Sequence, residues 1–141
     1  MKLINFKIAR DKIAFEKEGE YYDIHNNFDF LGFYYNTAKR EIHLNWIKGS
    51  GDWVPSNLPK KIDLIISKVS FLKAQERNDE YPFTEDSCLD CIGFMYHDDL
   101  QNMDAHPAYH EPSNDFPHLY LKFMSGFTLK ISAENAILNV I

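Results

Sequence analysis

The chain has 141 residues, a hydrophobic share of 45% and a net charge of −6, which predicts one globular domain and argues against two domains or a disordered chain. No apolar run approaches 18 residues, and residues 1–6 lack the features of a secretory signal, so we expect a cytoplasmic protein with no membrane partner. Two cysteines are too few for a disulfide framework.

Aromatic residues are unusually common in the chain, which contains eleven Phe, eight Tyr and two Trp, and such residues favour strands over helices. In chain order, alternation and turn residues predict strands at 2–8, 12–17, 20–25, 28–36, 41–46, 62–74, 91–96, 119–123, 127–133 and 137–141. Many short strands separated by turns are typical of antiparallel sheets. We therefore predict a mainly β fold: a single antiparallel β meander or sandwich domain over residues 1–141, with one long acidic loop and little helix.

The clearest burial signal lies in the strand 41–46. Ile42, Leu44 and Trp46 alternate there with polar residues, which predicts one buried face and one solvated face. In the preceding aromatic strand, Gly32 predicts a bulge, because a glycine inside a strand often marks an extra, unpaired residue.

Two further features concern how strands end. The inward-facing phase of residues 62–74 shifts at Ser67-Lys68, which predicts another bulge, because one extra residue reverses the side-chain parity of a strand. Near the C-terminus, Ser125-Gly126 separates two alternating segments. This dipeptide predicts a two-residue hairpin turn.

The charge of the chain is divided unevenly. Residues 78–121 contain no Lys or Arg but ten of the 21 acidic side chains and four of the six histidines, so the formal charge is −10 there and +4 elsewhere. Within this segment, residues 97–117 contain three prolines and many polar groups, which predicts a long loop with a helical turn near 99–103. Its negative potential points to a basic protein partner and argues against nucleic acid.

We therefore predict a non-enzymatic protein-binding domain that uses the acidic segment. Nucleophile, P-loop and dinucleotide motifs are absent, so we do not expect an enzyme. Aromatic side chains would anchor the partner and carboxylates would steer it. The predicted anchors are Tyr81, Phe83, Tyr96, Tyr109 and Phe116. The predicted steering residues are Asp98, Asp99, Asp104, Glu111 and Asp115.

A zinc-binding domain is an alternative. Cys88 and Cys91 are spaced as C-x2-C, and fourteen residues separate this pair from His106 and His110, spaced as H-x3-H. Two thiolates and two imidazoles can form a tetrahedral zinc site. Pro107 between the histidines opposes a helix that presents both of them on one face. We expect no cofactor otherwise, and a redox role for the cysteines lacks the helix start that dithiol active sites usually use.

Two other expectations follow from residue types. Phe30, Tyr35, Trp46 and similar aromatics could line a small-ligand pocket inside a β domain, which is a third class of function. Carboxylates near the histidines of the acidic segment predict raised histidine pKa values, so that the segment would gain positive charge at mildly acid pH.

Two stretches, IDLIISKVSFLKA at 62–74 and LYLKFMSGFTLKISAENAIL at 119–138, together resemble small bacterial immunity-type proteins of polymorphic toxin systems. The resemblance lies in the strand-turn-strand pattern and covers about a quarter of the chain. It implies a compact acidic domain that binds a toxin domain tightly in the cytoplasm, where that toxin is often a basic nuclease. The resemblance does not identify individual contact residues in this chain.

Overall fold

A computed structural model describes all 141 residues of the protein. The fold is mainly β, as predicted. Its strands are β1 (Lys2–Leu3), β2 (Lys7–Ile8), β3 (Ala14–Lys17), β4 (Glu20–Asp23), β5 (Phe28–Asn36), β6 (Glu41–Lys48), β7 (Lys61–Ser67), β8 (Phe71–Gln75), β9 (Leu89–Met95), β10 (His118–Phe123), β11 (Thr128–Ser132) and β12 (Asn135–Val140). Helix α1 spans only Ile24–Asn27, and 3₁₀ helices occupy Phe83–Asp86 and His97–Gln101. None of these helices has the length and apolar character that crossing a membrane requires.

Two sheets enclose the main core. One has five strands in the order β1-β12-β7-β6-β5, and the other has four in the order β8-β11-β10-β9. Ile42, Leu44 and Trp46 are fully buried, which confirms the face predicted from their alternation. Phe30 of the first sheet stacks on Phe123 of the second, with ring centroids 4.5 Å apart. The two inner faces therefore meet in one continuous apolar core.

A small third sheet has the strand order β2-β3-β4. It contains the second half of the strand that was predicted over residues 2–8. Residues 2–8 do not form one strand, because β1 pairs with β12 whereas β2 pairs with β3. Asn5 lies at the break, and its side-chain amide both donates to the carbonyl of Leu138 and accepts from the Leu138 N–H. A side chain thus replaces the ladder hydrogen bonds that a continuous strand would have made.

The phase shift in 62–74 has a different cause from the predicted bulge. Lys68 adopts a left-handed conformation with φ 57°, and the chain then leaves the five-stranded sheet, so that β8 pairs with β11 of the other sheet. The next crossing between sheets, from β11 to β12, lies beside it, and Lys68 Nζ is 2.7 Å from Glu134 Oε2. The prediction of a bulge at Ser67-Lys68 was wrong, because the hydrophobic pattern of a strand indicates which of its faces is buried but does not indicate which strand it pairs with.

The two glycine predictions had different outcomes. The bulge at Gly32 is confirmed by a register shift between Phe30 and Gly32 in the pairing of β5 with β6. The C-terminal hairpin has a three-residue loop instead of the predicted two, because the Phe123 N–H donates to the Phe127 carbonyl. Gly126 closes this loop with φ 87°, a left-handed conformation that glycine adopts without strain.

Candidate binding face

The loop 97–117 covers the outer face of the four-stranded sheet. Its residues Leu100 and Ala105 are buried in a second apolar cluster with Met95 and Tyr120 of that sheet. The predicted helical turn is present as the 3₁₀ helix His97–Gln101, two residues earlier than expected. The loop is therefore packed onto the domain, while most of its polar side chains remain exposed.

A buried lysine fixes the start of this loop. Lys130 of β11 has no exposed surface, and its ammonium donates to the backbone carbonyls of Asp99 (3.0 Å), Leu100 (3.3 Å) and Asn102. Burial lowers the pKa of Lys130, and nearby Lys73 lowers it further. An ammonium has three N–H donors, and the loop provides three backbone carbonyl acceptors for them. All the hydrogen-bonding capacity of the buried Lys130 is therefore used. Sequence analysis missed Lys130, because a residue between inward-facing Leu129 and Ile131 on an alternating strand ordinarily faces water.

Two histidines form a second link between the loop and the sheet. His97 Nδ1 lies 2.8 Å from His118 Nε2, and His118 Nδ1 lies 2.7 Å from the hydroxyl of Ser132. Burial lowers the pKa of His118, and His97 and the N-terminal amine lower it further. The expected rise is therefore wrong for His118, because its neighbours are an imidazole and a hydroxyl instead of carboxylates.

Three of the five predicted anchors form one aromatic cluster at the loop, in which Phe116 is half-buried and the two tyrosines are exposed. The Tyr96 and Phe116 ring centroids lie 4.7 Å apart, and those of Tyr109 and Phe116 lie 5.7 Å apart. Tyr96 is 49% exposed and Tyr109 41% exposed. The backbone of Tyr109 is fixed, because the Phe94 N–H donates to its carbonyl at 2.7 Å and the Tyr109 N–H donates to the Phe94 carbonyl at 3.1 Å. We refer to Tyr96, Tyr109 and Phe116 as the aromatic cluster.

Carboxylates lie along the same segment as the aromatic cluster. The side chains of Asp98, Asp104 and Asp115 are exposed and form no ion pair within the chain. Asp99 is half-buried at the end that Lys130 fixes. Glu111 is exposed, and one of its oxygens lies 3.8 Å from Nε2 of His110. The predicted steering residues are thus all present on the loop, and three of them are free to pair with a partner.

The N-terminal hairpin brings positive charge to one end of this segment. Lys7 and Arg10 line a small groove together with His110 and Glu111, and the ammonium of Lys12 donates to the carbonyl of Pro107 at 3.3 Å. The anionic character is therefore reduced near Glu111. The carboxylates of Asp98, Asp104 and Asp115 have no such cationic partner.

The other two predicted anchors are not part of this face. Tyr81 and Phe83 precede β9, whereas Tyr96 follows it, and the seven-residue strand between them spans about 20 Å. The Arg77 guanidinium lies 4.5 Å above the ring of Phe83 and donates to the carboxylate of Asp86 at 2.8 Å. The segment 78–121 therefore contributes to two separate surfaces, one at each end of β9.

The four predicted zinc ligands do not converge. Cys88 Sγ lies 3.8 Å from Nδ1 of His25, whereas Cys91 packs against the cluster of Met95 and Tyr120. His106 is exposed, and His110 stacks on Tyr109 with centroids 4.4 Å apart. No three His, Cys, Asp or Glu side chains are arranged to hold a metal ion. The arrangement of these four side chains does not fit a zinc site.

Both thiols are also poor nucleophiles. Burial raises the pKa of Cys88, with a further contribution from Glu85, and burial raises the pKa of Cys91 to about 11. Thiolates are the reactive form in disulfide exchange and in metal binding. At neutral pH both side chains are protonated, which argues against the redox interpretation.

Phe30 and Trp46, two of the aromatic residues proposed to line an internal ligand pocket, pack against each other, and Tyr35 is partly buried against the same core. Trp46 has no exposed surface, and its ring centroid lies 5.1 Å from that of Phe30. The space next to Phe30 that is open to solvent is a groove of about 410 Å³ on the outside of the domain. It is lined by Phe30, Leu31, Gly32, Arg77, Phe83, Asp86, Ser87 and Phe127.

Comparison of the chain with protein-family models, with curated proteins and with solved structures gives no match. The residues of the face itself are therefore what points to a function.

Proposed function

We propose that the protein is a non-enzymatic protein-binding domain that uses the loop 97–117 to engage a basic segment of a partner. The observation that carries the proposal is the aromatic cluster with its two exposed tyrosines, together with the unpaired carboxylates of Asp98 and Asp115, each of which lies within two residues of a member of the cluster along the chain. A Lys or Arg side chain combines an apolar stem with a charged head. The stem would pack on an aromatic ring while the head pairs with a carboxylate, and cation–π attraction adds to both contacts.

The rigidity of the loop supports this proposal. The ammonium of Lys130 fixes residues 99–102, and the backbone bonds between Phe94 and Tyr109 fix the middle of the loop. A preorganised surface loses less conformational entropy when a partner binds. Long loops in compact domains are usually either functional or disordered, and this one is attached to the sheet at several points.

We further propose that the partner belongs to the class suggested by the resemblance to immunity-type proteins, namely a basic toxin domain. An anionic face attracts such a partner over a distance, which accelerates association and selects against other acidic proteins. The resemblance and the charge of the face support the same partner chemistry independently.

The proposal is tested by capturing partners from the native host on the wild-type protein and on the double variant Tyr96→Ala/Tyr109→Ala. We expect a basic protein on the wild type and at least ~tenfold less of it on the double variant, because exposed aromatics supply most interface energy. Tyr81→Ala is the matched control, since Tyr81 is exposed to 45% but lies at the other end of β9. An equal loss on the control would contradict the proposed location of the face.

The electrostatic part is tested with the captured partner. Raising the ionic strength from about 0.05 M to about 0.3 M should lower its association rate several-fold, because salt screens exposed charges. Asp98→Asn/Asp115→Asn should weaken this salt dependence and leave the dissociation rate nearly unchanged. Association that does not respond to salt would refute steering by these carboxylates.

A further inference from the structure

The longest exposed sheet edge of the molecule is β5. It lies at the end of the five-stranded sheet and pairs only with β6. On its open side, one loop hydrogen bond is present, from the Phe30 N–H to the carbonyl of Ser87 at 2.8 Å. Beyond that point, the segment 31–36 contains the exposed side chains of Leu31 (62%) and Tyr34 (59%).

The backbone of this segment presents unpaired donors and acceptors. In the pairing of β5 with β6, Phe33 lies opposite Leu44 and Tyr35 lies opposite Ile42. The even-numbered residues of β6 direct their backbone N–H and C=O groups towards β7, because the Lys48 N–H donates to the carbonyl of Lys60, which precedes β7. Neighbouring residues of an antiparallel pair alternate in this respect. The N–H and C=O groups of Phe33 and Tyr35 therefore point away from the sheet, and no backbone group of the chain bonds to them.

The other edges of the molecule are protected. The edge of β9 is covered by backbone bonds from Tyr109 and Lys12, β8 carries Lys73, and β4 contains two acidic residues in only four. Short length, charge and coverage are the usual means by which proteins prevent strands from pairing at an edge. The segment 31–36 has none of these, because it contains six consecutive uncharged residues and no loop bonds to its open side.

The charges at the two ends of β5 indicate which strand would pair with its open edge. Asp29 precedes the uncharged segment and Lys39 follows it, and the side chain of neither forms an ion pair within the chain. An antiparallel copy of the same strand brings the acidic end of one chain to the basic end of the other. We propose that β5 pairs with β5 of a second copy of this chain, forming a two-fold symmetric dimer with one continuous ten-stranded sheet.

The backbone geometry specifies the register of this dimer. If Phe33 of one copy lies opposite Tyr35 of the other, the outward-facing N–H and C=O groups of both residues form hydrogen bonds between the two copies. Tyr34 of one copy then lies opposite Tyr34 of the other, on the two-fold axis. The ladder then covers residues 32–36 of both copies, and the turn 37–40 that carries Lys39 lies at the same end of the ladder as Asp29 of the other copy, so that symmetry places opposite charges at both ends. Burial of the exposed apolar side chains of Leu31 and Tyr34 supplies affinity, whereas the charge pairs fix direction and register.

Sedimentation equilibrium and light scattering of the purified full chain test the proposal. The expected mass is twice the 16.5 kDa of one chain. Asp29→Lys places like charges together at both ends and should raise the dimer dissociation constant at least ~tenfold. Lys39→Asp should do the same, and the double variant Asp29→Lys/Lys39→Asp should restore dimerisation, because it exchanges the two charges. Glu20→Lys on the edge of β4 is the matched control and should leave the mass unchanged.

Each outcome bears on the proposal. A protein that remains a monomer at every concentration up to about 1 mM overturns the proposal. The proposal is overturned in the same way if β5 pairs with an extended peptide of another protein and the chain does not dimerise. A dimer that tolerates both single reversals, or that the double reversal fails to restore, also overturns it. Amide exchange gives a second measurement, since Phe33 and Tyr35 should become protected as protein concentration rises. Circular dichroism at low concentration confirms that each variant is folded.

Discussion

The ammonium of Lys130 lies 3.0 Å from the backbone carbonyl oxygen of Asp99. This contact joins the centre of the four-stranded sheet to the start of the acidic loop. A buried cation is costly unless its donors are satisfied, and here the acceptors are carbonyls at the end of a 3₁₀ helix. The most acidic segment of the chain is thus attached by its backbone, which leaves the carboxylates of Asp98 and Asp104 available to solvent.

Replacing Lys130 by Met tests this attachment. The variant keeps an apolar stem but removes the donors, so the carbonyls of residues 99–102 lose their partner. We expect the free energy of unfolding to fall by ~1–3 kcal/mol and the amides of Asp99 and Asn102 to exchange faster. Denaturant unfolding and hydrogen exchange measure the two effects. Lys122→Met on the neighbouring strand is the control, and equal effects in both variants would contradict the role of Lys130.

Acidification should destabilise the fold through His118. Burial and His97 hold the pKa of His118 below its ordinary value of 6.5, so between the folded pKa and 6.5 the unfolded chain binds more protons. Stability is therefore fully present above pH ~6.5 and is lost as the pH falls through the folded pKa. Urea unfolding between pH 7.5 and about pH 5 should show this decline. His118→Gln should reduce the slope over the same range, and an unchanged slope would rule out His118 as its source.

The position of Tyr109 depends on a glycine beneath it. A Cβ atom at Gly93 would lie 2.7 Å from the carbonyl oxygen of Tyr109 and 2.8 Å from Cβ of Pro107. Gly93→Ala should therefore displace the loop, reduce stability by ~1–3 kcal/mol and weaken partner binding. At Gly49 the nearest atom would lie 3.3 Å away, so Gly49→Ala should cost less. Similar unfolding midpoints for the two variants would contradict this account.

Sequence periodicity was sufficient to predict the β fold and much of its core. The alternation of Ile42, Leu44 and Trp46 identified a buried face, and Gly32 identified a bulge, because both signals are local. The crossing at Lys68 was not predictable, because its cause is the pairing of β8 with a strand that follows more than fifty residues later. Local pattern determines which side of a strand is apolar, whereas long-range contacts determine which sheet it joins.

The candidate face was predicted in part for the same reason. The charge partition pointed to the acidic loop, and Tyr96, Tyr109 and Phe116 do come together there. Tyr81 and Phe83 do not, because the buried strand β9 separates them from the others. The buried cation of Lys130 was missed, since an isolated lysine on an alternating strand usually faces water.

The pairing of β1 with β12 has a consequence for the order in which the chain acquires its structure. Lys2 lies beside Asn135, and Asn5 is bonded to Leu138 across 133 residues. During synthesis on the ribosome, β1 therefore has no partner until β12 has emerged. Contacts between such distant residues slow folding, so completion of the five-stranded sheet should be a late step in folding.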